Sequence, residues 1–442
     1  MAVWQKNIDP VHAADMAVFL DLIRADLNPD RIARVTGRAE PGSGKPGQVE
    51  SGTGEARRVK QVTVKTGHVE SGANETRLVE SGTVDWEYLV SLAEKHRVLP
   101  VFYVNVKKAG LRTFIPESLY KRLFRRYADI VAYNLRLCGK LAMILSLFES
   151  RGIPAVPFKG PLLAQALYGD EVLRYYQDLD ILVPEADVPA AREALSACGF
   201  LPIMHRFSGK QFRQVLKYGR EWHFKDATDT IEIDLHWRLG GPFRRRFDYD
   251  FCKDRLQAIP WHGRQVHCLS AEDTLLHLCV NGAHDLWGSL EQILSVADFI
   301  DRHPDLDWGL VQMLAARLHC RRMLFLGLFL ARDVFDAALP REVNDQIKKD
   351  RAVADLAAMI YGKLFGVSPR ESHIEKRVGQ LPFSLKMREH FLDKMMYLMR
   401  RVFVPTQKDW KNRPPDARPA NFYFLSRPLN LAVELIRALR RR

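Results

Sequence analysis

The stretch that most constrains this chain runs from Phe158 to Val183, FKGPLLAQALYGDEVLRYYQDLDILV. It sets Lys-Gly at the end of a short apolar run, a helix-like segment after Pro161, and Asp-x-Asp inside a second apolar run. Strand side chains alternate with a period of two, so Asp178 and Asp180 project from one face and Leu179 from the other. Two neighbouring carboxylates repel each other and raise a pKa unless a cation lies between them. A pair of this kind on a strand points to a divalent metal, and magnesium is held by one or two carboxylates together with substrate phosphates. Phosphoryl or nucleotidyl transfer is the chemistry that fits.

A third carboxylate follows in Thr230 to Trp237, TIEIDLHW. Ile231, Ile233 and Leu235 share one face of this alternating segment, and Glu232, Asp234 and His236 share the other. If the segment lies beside the first strand, Asp234 completes a metal-binding triad with Asp178 and Asp180. Two Mg2+ (or Mn2+) ions roughly 3.5–4 Å apart would then activate the attacking oxygen and stabilise the departing pyrophosphate. The bland alternative is a set of exposed strand-edge carboxylates, which the closely flanking apolar residues oppose. Lys159 either caps a strand end or, beside Gly160 at the opening of a helix, contacts phosphate, since helix N-termini attract anions. Gly160 lets the backbone approach a phosphate closely. Arg174 either binds phosphate or pairs with a carboxylate.

In this order the elements resemble the signature of the polymerase-beta-like nucleotidyltransferase superfamily. Within it the chain is similar to the bacterial group called uncharacterised nucleotidyltransferases. The positions that carry the likeness are Lys159-Gly160, Tyr168, Arg174, Asp178, Asp180, Leu182-Val183 and Asp234-Leu235-His236-Trp237. It extends from about Trp86 to the C-terminus, with the sharp motifs within 158–237. The wider superfamily usually has Gly-Ser or Gly-Gly where this chain has Lys159-Gly160. There the serine helps hold the triphosphate, whereas lysine supplies a point charge for phosphate. The resemblance implies a donor nucleoside triphosphate (NTP), catalysis by Asp178, Asp180 and Asp234, donor contacts from Lys159, Gly160 and Arg174, and a helical lobe that shapes the acceptor site.

The expected fold class is α+β, a small mixed-sheet core flanked by helical regions. Residues 1–37 read as an N-terminal helical segment, with Met16, Phe19, Leu20 and Ile23 at helical spacing. Residues 38–84 are rich in Gly, Ser, Thr and Glu, with VESG starting at Val49, Val69 and Val79. Such a low-complexity insert buries too little apolar surface to offset chain entropy and is expected to be disordered. Residues 85–150 read as three or four helices, the last from about Tyr133 to Ser150. The nucleotidyltransferase core is expected over 151–270, with a first strand from Ala155 to Phe158 and a helix over 187–198 ending at Gly199. Residues 271–442 read as helical, with a Pro- and Arg-rich strap over 405–420 and a basic helix from Pro428 to Arg442.

A net charge of +13 admits nucleic acid or an anionic membrane as partners. No aromatic-interleaved basic motif accompanies it, so a basic surface serving an anionic triphosphate explains the charge more economically. The longest apolar run, Met323 to Ala331, is too short to cross a bilayer. With no transmembrane segment and no signal peptide evident, a cytoplasmic location is expected. The six cysteines show no CxxC and read as reduced, mostly buried thiols. His277, Cys279 and His284 raise the question of zinc, but Cys279 leaves the helix face shared by the two histidines, so a core or substrate-facing role fits better. The family resemblance implies His284 as a candidate acceptor-side contact.

The leading function is a Mg-dependent nucleotidyltransferase that moves a nucleoside monophosphate (NMP) to a hydroxyl or phosphate acceptor, a small molecule in preference to RNA or protein. The alternatives are a toxin-type nucleotidyltransferase that modifies RNA or protein, and a non-catalytic nucleotide-binding scaffold or regulator.

Overall fold

A computed structural model describes residues 3–8, 12–24, 84–203, 209–228, 230–240, 246–366, 373–404, 424 and 427–429. The low-complexity insert (apart from Val84), the strap over 405–420 and nearly all of the basic helix from Pro428 lie outside the described residues.

The architecture is α+β. Five strands form one mixed sheet in the order β1-β2-β5-β4-β3: β1 Val156–Pro157, β2 Asp178–Leu182, β3 Leu201–Pro202, β4 Glu221–Lys225 and β5 Glu232–His236. β2 and β5 run parallel, and the other neighbours are antiparallel. A separate hairpin of β6 Gln257–Trp261 and β7 Arg264–Cys268 turns at His262-Gly263. β4 and β5 pair across a turn in which the Asp226 side chain accepts from the amides of Thr230 and Ile231.

Alternation gives the sheet two unlike faces. Leu179, Ile181, Trp222, Phe224, Ile233 and Leu235 are buried in one hydrophobic core with Leu137, Leu141, Ile144 and Phe148 of helix Glu117–Ser150. Asp178, Asp180, Glu221, His223, Asp234 and His236 stand on the other face. The long helix also fixes the register of β2 and β5. The Tyr133 hydroxyl lies 2.8 Å from Gln177 O and 2.9 Å from Thr230 O, shared between the carbonyls just before β2 and β5 begin. Asn134 donates to Val172 O and Arg174 O in the loop leading into β2.

This helix corrects the expected break at Tyr133: it is continuous over 34 residues from Glu117. Arg125, Arg126, Asp129 and Lys140 interrupt the apolar pattern only because they occupy its outer face; Pro116 is the stop that precedes it. It is also, among the described residues, the one helix long and apolar enough to cross a membrane. Unbroken apolar runs alone predict no such segment. The same measure is met by core helices, and here the face from Leu137 to Phe148 lies on the sheet. The run Met323–Ala331 falls within the largely buried helix Arg321–Phe335.

The first strand is shorter than expected, Val156–Pro157, and helix Val188–Ala197 stops before Gly199 at φ 86°. Met16, Phe19, Leu20 and Ile23 are all buried as their spacing requires. They join a second core that includes Leu89, Phe102, Leu119 and Leu123 and the helical lobe from Ala271 onward. The segments treated separately as 1–37, 85–150 and 271–442 therefore share apolar packing. Buried Arg24 ties them further, pairing with Asp298 and Asp301 and donating to Phe335 O.

Candidate active site

β1 leads through Lys159 into helix Gly160–Tyr168. Gly160 sits at φ 57°, a left-handed conformation that a side chain resists, so the glycine makes this turn possible. Pro161 occupies the first turn, where its missing N–H costs nothing. Lys159 is thereby aimed at the polar face. Its Nζ lies 3.6 Å from Asp180 Oδ1 and donates to Asn281 Oδ1 at 3.2 Å.

The parallel pairing sets Asp180 opposite Asp234 and Leu182 opposite His236. Ligand atoms of Asp180, Asp234 and His236 all lie within 4.8 Å of one another. Asp178 is not part of that set. It lines the same cleft with Lys159, Arg174, Asp180, Asn281 and Glu291. The three expected acids thus share one face, and the closest grouping substitutes His236 for Asp178. Arg174 is engaged in a largely buried ion pair, Nε to Glu291 Oε1 at 2.7 Å, with Ser295 also donating to Glu291. Of its two readings, carboxylate pairing is the one observed, and the pair joins the DxD loop to the helical lobe.

Glu221 and His223 carry the site beyond the residues singled out from sequence, and His236, a motif position there, joins Asp180 here. His236 donates from Nε2 to Asp180 Oδ1 at 2.8 Å, and its Nδ1 lies 3.4 Å from Glu221 Oε2. His223 donates from Nδ1 to Asp234 Oδ1 at 2.6 Å. Pairing sets Glu221 opposite His236 and His223 opposite Asp234, so each acid of the seam has an imidazole beside it. The alternation in EWHFK, read across the turn at Asp226, was the available signal.

Charge is unevenly shared here. Burial pushes the Asp178 carboxyl up to about 7, reinforced by Asp180 and Asp234. Burial also opposes ionisation of Asp180, but Lys159 and the His236 hydrogen bond outweigh it and hold that carboxyl well below the usual range. The hydrogen bond to Asp234 raises the His223 pKa against burial. Beneath the site, Phe158 packs edge-on to both His236 and His277. Burial, then Lys159, drives the His277 pKa well below its ordinary value, so it is a neutral core residue. Cys279 packs against Gly327, away from any shared centre, and His284 is exposed beside Asp285.

Residues 82–336, more than half of the chain, match the family described as uncharacterised nucleotidyltransferase. The chain belongs to the uncharacterised nucleotidyltransferase family. Membership makes it a nucleotidyltransferase and covers every element of the site, from Lys159 to Glu291. Similar solved structures include the antibiotic-resistance factor ANT(2'')-Ia in solution, 15% identical over 42% of this chain and 91% of that one, with a TM-score of 0.30. A crystal structure of ANT(2'')-Ia in complex with adenylyl-2''-tobramycin has the same identity, the same share of this chain, 98% of its own and a TM-score of 0.30. An antigenic nucleotidyltransferase-like protein from Paracoccidioides brasiliensis is 15% identical over 48% of this chain and 94% of its own, with a TM-score of 0.26. Likeness at this level carries no argument about the acceptor. No curated protein matches the sequence.

Proposed function

We propose that this nucleotidyltransferase moves an NMP from an NTP to a hydroxyl or phosphate oxygen of a small acceptor, with a divalent cation, Mg2+ or Mn2+, as cofactor. One observation carries the reading: Asp180 and Asp234 face each other across the parallel β2–β5 seam, with Lys159 beside them and Asp178 on the same face. The donor set fits a hard cation, because carboxylate oxygens are its preferred ligands. The elevated Asp178 pKa fits too, since crowded negative charge invites a positive partner. Asp178, Asp180 and Asp234 would hold the ion, which supplies positive charge to the phosphates and the reacting oxygens.

The protein's own groups do the rest. Lys159 and the N-terminus of helix Gly160–Tyr168 bind the β and γ phosphates. His236 orients Asp180, and His223 orients Asp234. The acceptor oxygen attacks the α-phosphorus, the bond to the bridging oxygen breaks, and pyrophosphate leaves with that electron pair. The acceptor proton passes to a carboxylate of the seam, Asp234 being the one on β5. Asn281 and Glu291 come from the helical lobe, which supports a role for that lobe in bounding the acceptor side.

The test is pyrophosphate release from each of the four NTPs with Mg2+, Mn2+ or EDTA, followed by transfer of labelled nucleotide to pools of small metabolites, tRNA or protein. Ion-dependent release with label in the small-molecule pool is expected. Binding of an NTP without pyrophosphate release under any condition would sink the reading and favour a non-catalytic scaffold. Label appearing in tRNA or protein would replace the acceptor class with that of a macromolecule-modifying enzyme.

A further inference from the structure

We propose that His319, His390 and Asp393 form a second metal site, of the zinc class, that fastens helix Phe391–Phe403 to the helical lobe. The inference is independent of the function proposed above and uses none of its residues. The three side chains come from two helix ends far apart in sequence. His319 closes helix Trp308–Leu318 in a left-handed conformation at φ 57°. His390 is the N-cap residue of helix Phe391–Phe403, and Asp393 lies in its first turn. A ligand atom from each lies within 4.8 Å of the other two. Around a tetrahedral zinc, with bonds of about 2.0–2.2 Å, ligand atoms sit roughly 3.3–3.6 Å apart, so small side-chain rotations close the set.

Two further observations point to a ligand. Asp393 is 8% exposed; its Oδ2 accepts from His319 Nδ1 at 3.0 Å, while its Oδ1 is buried with no hydrogen-bond partner among the described residues. Leaving a buried carboxylate oxygen unpaired is costly, and a metal ion would satisfy it. The neighbouring cation attracts Asp393 electrostatically but gives it no hydrogen bond: Arg388 donates to Ser384 O and lies 3.7 Å over the Tyr397 ring. The nearby acids are engaged elsewhere, Glu389 with the Arg322 amide and Asp350 with Arg322 Nε.

The second observation concerns the helix itself. Asp393 is its one buried residue among those described, whereas Phe391 and Leu392 are 72% and 60% exposed. Apolar burial therefore does little to hold the start of this helix, and attachment falls to the polar contact at Asp393. Two imidazole nitrogens and one carboxylate oxygen suit zinc and its first-row neighbours better than magnesium. Exposed His390 leaves a fourth position open to water.

The experiment uses the full chain carrying Asp180→Asn and Asp234→Asn, so that the nucleotidyltransferase centre does not compete for metal. Co2+ and Zn2+ are titrated, with visible absorption reporting Co2+ and calorimetry reporting Zn2+. One ion per chain is expected, with a visible cobalt band. His390→Ala, at an exposed position where folding should survive, should abolish the band and weaken Zn2+ binding at least tenfold. Amide exchange over 388–396 should slow on adding Zn2+ in the parent and not in His390→Ala. No Zn2+ binding in the parent, or equal binding in His390→Ala, would overturn the proposal.

Discussion

Buried charge is handled in two opposite ways in this molecule. Where the N-terminal segment meets the helical lobe, Arg24 is matched: Asp298 and Asp301 face it and a backbone carbonyl takes another donor. On the polar face of the sheet, Asp178, Asp180 and Asp234 crowd together, with Lys159 the ammonium placed among them and imidazoles filling part of the deficit. The first arrangement is complete within the chain and serves stability. The second keeps an excess of negative charge beside an open cleft, at a cost visible in the raised Asp178 pKa. A fold retains such a cost where an external cation or substrate relieves it.

Substitutions that separate activity from stability test this contrast most severely. Asp180→Asn should lower pyrophosphate release by about 10²–10³-fold or more while the melting temperature holds or rises. Arg24→Ala should do the reverse, destabilising by about 3–5 kcal/mol because it strands the buried Asp298 carboxylate, with kcat per folded molecule unchanged. Steady-state kinetics and urea unfolding of both variants decide the matter. Equal losses of activity and stability in each would erase the distinction.

A smaller effect should appear in the pH dependence of stability. The folded protein holds the Asp178 proton more tightly than the unfolded chain does, because its pKa rises from 3.8 to about 7. Stability from this group is therefore fully present below about pH 4 and is lost as pH rises through about 7. Asp178→Asn should flatten that decline and, in EDTA, stabilise the protein at pH 8 by about 1–3 kcal/mol. Unfolding curves at pH 5 and pH 8 give the answer; parallel behaviour of variant and parent would mean that the acids do not strain the fold.

Smallest is the effect of Lys159→Ala. Losing one phosphate contact should raise KM for the NTP about tenfold, with a lesser change in kcat. An unchanged KM would move Lys159 from donor binding to simple compensation of Asp180.

Much of this contrast was legible in the residues. The DxD phase, the glycine after Lys159 and the alternation in TIEIDLHW follow from backbone geometry, which is local. What could not be read is contact between distant segments. Asp180 meets Asp234 through a parallel pairing that no turn specifies, and parallel strands need a long crossover. Asn281 and Glu291 reach the cleft from a lobe whose docking depends on the whole core. Arg174 had two physically sound partners, and only packing of the lobe selected Glu291. The break placed at Tyr133 arose because charged residues on an exposed face look, in one dimension, like an interruption.

The helix Glu117–Ser150 has a consequence for how the enzyme can move. It contributes Leu119 and Leu123 to the core of the lobe and Leu137 to Phe148 to the core of the sheet. At 34 residues it is roughly 50 Å long, and no proline interrupts it. It serves as a common spar to which both halves of the cleft are built. Swinging the lobe away from the sheet would require bending that spar or pulling it out of one core. The cleft lined by Lys159, Asp178 and Asp180 from the sheet and by Asn281 and Glu291 from the lobe is accordingly a fixed aperture. Acceptors would be sorted by the dimensions of a rigid frame, with adjustment left to side chains at its rim.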